Sequence, residues 1–288
     1  MKKKINIKEK LKKEFAKGKK FLKNVWEILN LPEMGVLPGE LAFSIILSLV
    51  PIITLIGYGA SYFNISMDSI IDLLQKNFDK SVVELIVPII GGNTLDLKLI
   101  WLLIVMFYFA SSGAASVIFS ANQIYHIEQS TWIKRRIKAL MLTLLIVVLY
   151  LFILLVPVFG AKIIDAIDYF NIKSVMTYVL EVVQGPISWL IIFLFIKMIF
   201  TIAPDKSIPS SRINLGAIFT TIGWVLTTDI YSYYVSHFAQ YDLFYAGLSN
   251  IAVLMLWIYF LSYIMVIGLA LTTKIDDEEM AKTGSINI

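Results

Sequence analysis

Six long apolar runs, separated by linkers whose positive charge alternates along the chain, restrict this sequence to a helical protein that crosses a bilayer repeatedly. The runs at 41–63, 99–125, 139–161 and 248–273 contain no Asp, Glu, Lys or Arg. Those at 186–203 and 213–235 contain one charge each, Lys197 and Asp229. A helix rises about 1.5 Å per residue, so about 20 apolar residues cover the ~30 Å hydrocarbon core. Backbone amides in lipid must bond within their own segment or within a closed barrel, and runs this long and continuous select helices. The 58% hydrophobic content fits membrane solvent better than one large soluble core. The expected fold is all-α: a polytopic membrane protein with six transmembrane helices plus interfacial amphipathic helices. It divides into a basic amphipathic segment over 1–35, a membrane domain over 36–275 and an acidic tail over 276–288.

Charge fixes the expected orientation. Residues 1–24 hold 11 lysines. With Lys134, Arg135, Arg136, Lys138, Lys206, Arg212, Lys274 and Lys282, one face carries 19 basic residues, against five in the linkers of the other. Short basic linkers stay cytoplasmic, so both termini are expected inside, and an even number of spans agrees. The chain is read as multi-pass; the resemblance set out below implies a bacterial cytoplasmic (inner) membrane. The first run starts about 40 residues in and is too long for a signal peptide, which makes it an uncleaved span. With no cysteine, disulfides and thiolate metal sites are excluded.

Residues 1–30 have a helical period, with Ile7, Leu11, Phe15, Leu22, Val25, Trp26 and Leu29 on one broad face and lysines elsewhere. This pattern reads as an amphipathic helix on the anionic inner leaflet, its lipid contacts made by Lys12, Lys13, Lys19, Lys20 and Lys23. Nucleic acid is the other common partner of such a charge run, and the span immediately downstream argues against it. The plainer alternative is a topogenic signal. Helical spacing of Met67, Ile70, Ile71, Leu74, Phe78 and Val82 predicts a second interfacial helix in the 64–98 linker. A weaker one over 162–185 is expected to break at Gly185-Pro186.

An ionisable residue at the centre of a span costs about 2.5–3.5 kcal/mol on insertion scales, so each is a candidate functional group. Lys197 lies about 9 Å, and Asp229 about 24 Å, from the basic ends of their runs, an offset that precludes a salt bridge between straight helices. Lys197 is read as reaching to the head groups. Asp229 has two readings, a proton or cation site or a carboxylate bonded to neighbouring helices. Ser112, Ser116 and Ser120 recur every four residues beside Gly113, Ala114 and Ala115, and Asn122, Gln123 and His126 follow. Small residues let helices approach closely, which is one reading; a polar cavity wall that includes Ser48 and Pro51 is the other. Pro51 removes an intrahelical bond and predicts a kink. The two histidines, His126 and His237, fall on opposite faces, and there is no HExxH or phosphate-loop motif. No catalytic residue, metal or cofactor is expected, and the chain is not read as an enzyme.

Ala42, Phe43, Ser48, Leu49 and Pro51, then Ala121, Asn122 and Tyr125, Pro204 with Gly216, and Tyr241, Tyr245, Gly247, Leu256, Trp257, Tyr259 and Gly268 follow one another in an order that resembles the YihY/BrkB family of bacterial inner-membrane proteins, once labelled ribonuclease BN. The resemblance covers roughly 35–275. It implies a six-helix protein of envelope integrity with a suspected role in lipid or other transport. The family often carries an acid or amide two positions after the glycine matched by Gly268; here that position is Ala270. The first expectation is a transporter-like protein for a lipid or other amphipathic substrate, using Asn122, Gln123, Ser112, Ser116, Ser48, Pro51 and Asp229. The alternative is a non-transporting scaffold for envelope protein partners. A membrane-bound hydrolase or ribonuclease ranks third.

Overall fold

A computed structural model describes residues 7–62, 68, 71, 97–167, 173–238 and 248–283. Among them there are seven α-helices, one 3₁₀ turn and no strand: α1 (Ile7–Leu29), the turn Pro32–Gly35, α2 (Leu37–Tyr62), α3 (Leu97–Ile124), α4 (Trp132–Ile167), α5 (Lys173–Ile202), α6 (Ser210–Phe238) and α7 (Leu248–Thr283). Four stretches are long and apolar enough to cross a membrane: Leu37–Ile56, Leu103–Ile124, Ser210–Tyr234 and Ile251–Thr273. A shorter apolar stretch, Ser188–Ile202, closes α5. The runs at 139–161 and 186–203 fall on α4 and α5, and the side chains of 150–185 lie outside the described residues. So do most of the 64–98 linker and the aromatic residues Tyr241, Phe244 and Tyr245.

Several helices outrun their apolar windows. α4 begins at Trp132, so the basic stretch Lys134–Lys138 is helical rather than linker. α7 continues through the acidic tail to Thr283, where the run Glu278 to Lys282 consists of good helix formers. The break expected at Gly185-Pro186 is not observed: α5 runs unbroken from Lys173 to Ile202 with Pro186 inside it. A proline removes one donor, and in a long apolar helix the flanking bonds have no better partner than each other. The same holds for Pro51, through which α2 is continuous.

The most extensive contacts pair α2 with α3 and α6 with α7. Both crossings rest on missing side chains. A Cβ on Gly113 of α3 would lie 2.7 Å from Ser48 Oγ of α2. A Cβ on Gly216 of α6 would collide with the Gly268 carbonyl of α7, and one on Gly268 with Thr220 Oγ1. The hydroxyls of Thr220 and Thr272 donate back to the Gly216 and Gly268 carbonyls, 2.9 and 3.2 Å. Each helix thus presents Gly-x-x-x-Thr to the other, the small-residue geometry that lets membrane helices touch backbone to backbone. Trp224 Nε1 adds a bond to the Leu261 carbonyl, 2.9 Å.

Among the described side chains the core gathers at one end of the bundle, where Ile28, Leu41, Ile118, Ile196, Phe200, Ile213, Met265 and Leu269 are buried. This basic end carries the α3–α4 and α5–α6 linkers. Trp101, Phe109, Met141, Leu144, Leu226, Ile230, Leu256 and Phe260 face outward. So much exposed apolar surface is a liability in water and the normal condition in acyl chains.

α1 forms as its period predicts, but its apolar face divides. Phe21, Val25 and Ile28 dock on the core, Phe21 with its ring 6.1 Å from that of Phe219. Leu22 and Trp26 stay more than two-thirds exposed beside the exposed Lys19, Lys20 and Lys23. The side chains of Lys12 and Lys13 lie outside the described residues. One stripe holds the helix to the bundle, and the adjacent one, Leu22 and Trp26 with the lysines, has the composition of a lipid-interface face.

Candidate functional site

The site begins where α3 ends. Ile127 N donates to the Asn122 carbonyl at 2.8 Å and His126 N to the Gln123 carbonyl at 3.2 Å. This double closure is a Schellman turn, and it puts His126 at φ 51°, a position that glycine usually fills. The left-handed conformation costs an L-residue about 1 kcal/mol. His126→Gly is therefore expected to raise the unfolding free energy by up to about 1 kcal/mol, measured by thermal denaturation in detergent.

The turn swings the linker back along α3, where Gln129 Nε2 donates to the Phe119 carbonyl at 3.2 Å. Here four segments are tied together. Asn122 Oδ1 accepts from Asp205 N at 2.8 Å, and Asn122 Nδ2 donates to Asp205 Oδ2 at 2.7 Å and to Gln129 Oε1 at 3.5 Å. Lys138 Nζ donates to Asp205 Oδ1 and to the carbonyls of Ala203 and Pro204, at 2.7, 2.9 and 2.7 Å. The ammonium uses all three donors, caps the end of α5 and sits where that helix's dipole is negative. Partial burial raises the Asp205 carboxyl. The hydrogen bonds from Lys138 and Asn122, together with the Lys138 charge, outweigh that and hold it at about 2.

This knot fixes the roots of two loops, 125–131 and 203–209, and between them lies a cavity of about 480 Å³. Its apolar wall includes Leu31, Ile124, Ile127, Ile208 and Ala270; its polar groups are Glu33, His126, Lys206, Ser207, Arg212 and Thr273. The volume is in the range of small-molecule sites, which run roughly 300–1,000 Å³. Among the described residues the wall sets Lys206 and Arg212 beside Glu33 over an apolar floor, a lining that suits an amphipathic molecule with a charged head.

Of the polar stripe only His126 lines this cavity, and none of Asn122, Gln123, Ser112, Ser116, Ser48, Pro51 and Asp229 does. Asn122 is buried, its amide engaged with Asp205 and Gln129, two positions before the wall residue Ile124. Gln123 is exposed. Ser48 is buried at the α2–α3 crossing, its hydroxyl bonded to the Ile45 carbonyl at 2.9 Å. Ser112 is half-buried; Ser116 and Ser120 are buried with hydroxyls that find no partner among the described residues. Pro51 is half-buried inside α2. Asp229 is exposed on α6, 17 residues from Arg212, about 25 Å along the axis. Lys197 is half-buried with its ammonium 5.9 Å from the Phe193 ring centre.

Sequence reasoning passed over Asp205, Lys138, Gln129, Glu33, Lys206 and Arg212. One signal was available: Asp205 is the only acid between 182 and 228, and it follows the Pro204 already singled out. An isolated acid beside a basic linker is a candidate for pairing across it.

Comparison with known proteins matches residues 27–286 to the family model described as Virulence factor BrkB. The ribonuclease-like protein YfkH of Bacillus subtilis is 29% identical over 254 residues, 86% of this chain and 92% of the relative. A UPF0761 membrane protein of Actinobacillus pleuropneumoniae is 21% identical over 282 residues, 93% of this chain and 97% of the relative. No solved structure matches.

Proposed function

Because this chain belongs to the virulence factor BrkB family of membrane proteins, we propose that it binds and moves an amphipathic molecule with an anionic head group, a lipid, by way of the cavity at its basic end. One observation carries the reading: Lys206, Arg212 and His126 share a cavity with an apolar floor, and the knot centred on Asp205 braces its walls. Guanidinium and ammonium groups bind phosphate through charge-assisted bonds, and the apolar floor accepts the first carbons of an acyl or prenyl chain.

The topology proposed with it is six spans with both termini inside, supported by 19 basic residues on one face against five on the other. The cavity then opens at the head-group depth of the cytoplasmic leaflet of the inner membrane. The outer stripe of α1, Leu22 and Trp26 with its lysines, rests on that leaflet and gathers anionic lipid beside the mouth. We propose no hydrolytic role; the ribonuclease-like name is that of the Bacillus subtilis relative.

The test is lipid movement in proteoliposomes, with fluorescent phosphatidylglycerol on one leaflet and a membrane-impermeant quencher outside. The wild-type chain is expected to accelerate exchange. Lys206→Glu with Arg212→Glu is expected to slow it at least about tenfold, the loss of one or two charge-assisted contacts. An unchanged rate in folded double variant would remove the cavity from the pathway. No exchange by wild type, together with a defined crosslinked envelope partner, would favour the scaffold reading.

A further inference from the structure

We infer that Arg136 is a lipid-phosphate site inside the membrane, in the groove between α3 and α4. This rests on the reading that the chain moves an anionic lipid, and it places a contact on the path. By charge alone the stretch Lys134–Lys138 belongs with the linkers of the basic end. Folding takes one of its side chains elsewhere. The linker turns back along α3 as far as the Phe119 carbonyl that Gln129 holds, so α4 starts below the end of α3. Arg135 and Arg136 then reach two depths. The guanidinium carbon of Arg135 lies 5.9 Å from the Phe119 ring centre, and that of Arg136 lies 3.5 Å from the Tyr108 ring centre. Phe119 and Tyr108 stand 11 positions apart on one helix, about 16 Å.

Tyr108 lies within the apolar stretch Leu103–Ile124, 16 positions before Ile124, about 24 Å along the axis. The guanidinium of Arg136 is thus carried past the middle of that span. Its Nη2 donates to the Tyr108 carbonyl and its Nε is buried, which leaves Nη1 without a partner among the described residues. No carboxylate pairs with it among those residues either. The side chain stays partly exposed, and exposed apolar residues accompany it on both helices: Ile104, Val105 and Phe109 on α3, Ile133 and Ile137 on α4. A cation in such a place is costly, and one carbonyl with one ring face replaces only part of its hydration. The partner it lacks is an anion. The anion that acyl chains carry to a lipid-facing groove is a phosphate, which a guanidinium binds through charge-assisted bonds. The cavity receives the head group at the basic end, and Arg135 and Arg136 offer it two successive contacts along α3.

The experiment uses the full-length chain in phosphatidylglycerol vesicles, with arginine carrying carbon-13 at Cζ, and measures by solid-state NMR how lipid phosphorus dephases that carbon. The chain has three arginines, so Arg135→Lys with Arg212→Lys leaves Arg136 as the single reporter. If that variant fails to fold, the dephasing lost between wild type and Arg136→Lys reads the same contact. Phosphorus within about 5 Å is expected, the reach of a guanidinium–phosphate bond, together with dephasing by fluorine placed at the middle of the acyl chain. No phosphorus dephasing overturns the inference and reduces Arg136 to a clamp between α3 and α4, whatever the exchange rate of wild type. Phosphorus without fluorine dephasing puts the contact at head-group level and overturns it as well. In the exchange assay Arg136→Gln, which keeps a donor for the Tyr108 carbonyl, is expected to slow lipid movement at least about tenfold, the worth of one charge-assisted bond. An unchanged rate overturns Arg136 as a contact on the path. Wild type that shows both dephasings and exchanges no lipid supports the site and overturns the transport reading instead.

Discussion

Gly216→Ala is expected to lower the unfolding free energy by about 3 kcal/mol, the upper range for forcing extra volume into a packed contact. The added methyl would meet the Gly268 carbonyl, with Thr272 Oγ1 at 2.5 Å. The obstacle is backbone, so relief requires α6 and α7 to separate; the Thr220 and Thr272 hydroxyls bond within their own helices and give no slack across the crossing. Gly18→Ala is the internal control. It lies inside α1 with nothing within 4 Å of the added atom. There alanine should be neutral or stabilising by up to about 1 kcal/mol, since it is the better helix former. Thermal denaturation of both variants in the same detergent separates the two effects; equal midpoints would show that α6 and α7 do not meet at the glycines.

Asp205→Ala is the second large effect, expected at about 3 kcal/mol. The Asp205 and Lys138 side chains are only 12% and 22% exposed. Removing the acid leaves a largely buried ammonium with its strongest partner gone, and breaking such a pair costs more than the pair is worth. Lys138→Met with Asp205→Leu should therefore be less damaging than Asp205→Ala alone, a sign that independent sites cannot give. The pair also has a pH signature. The folded-state value of about 2 lies below the ordinary 3.8, so Asp205 contributes stability at and above about pH 4. That contribution, roughly 2 kcal/mol, fades as pH falls from 4 towards 2. The acid unfolding limb of wild type should be steeper over this interval than that of Asp205→Asn. Coincident limbs would mean the carboxyl is not held low. Because Asp205 roots the 203–209 loop, the same variant should also weaken any ligand of the cavity.

The membrane character, the helical class and the basic end were legible in the sequence because each is a sum over neighbouring residues. A run such as 248–273 is apolar whatever it packs on, and it appears as α7. The period of residues 1–30 likewise appears as α1. Helix ends were less legible: nothing local distinguishes the basic stretch 134–138 as linker from the same residues as the first turn of α4. Gly185-Pro186 reads as a stop in water, where freed backbone groups find solvent, and is crossed by α5, where they do not.

The candidate site belongs to the other category. Asn122 drew attention as an amide at the end of a polar stripe, but its partner Asp205 is 83 residues away, and no window along the chain contains both. Lys138 counted only as one more topogenic charge until folding brought it to the end of α5. The sequence also could not show that the apolar face of α1 divides, since Phe21 and Trp26 differ only in what stands opposite them. Hydropathy and helical period act through bonds along the chain and through the solvent around it, so the sequence by itself determined that this protein is a bundle of apolar helices with one basic end. Paired charges, glycine crossings and a cavity depend on which distant surfaces meet, and only the tertiary structure decided that Lys138 and Asp205 brace a site whose walls are His126, Lys206, Arg212 and Glu33.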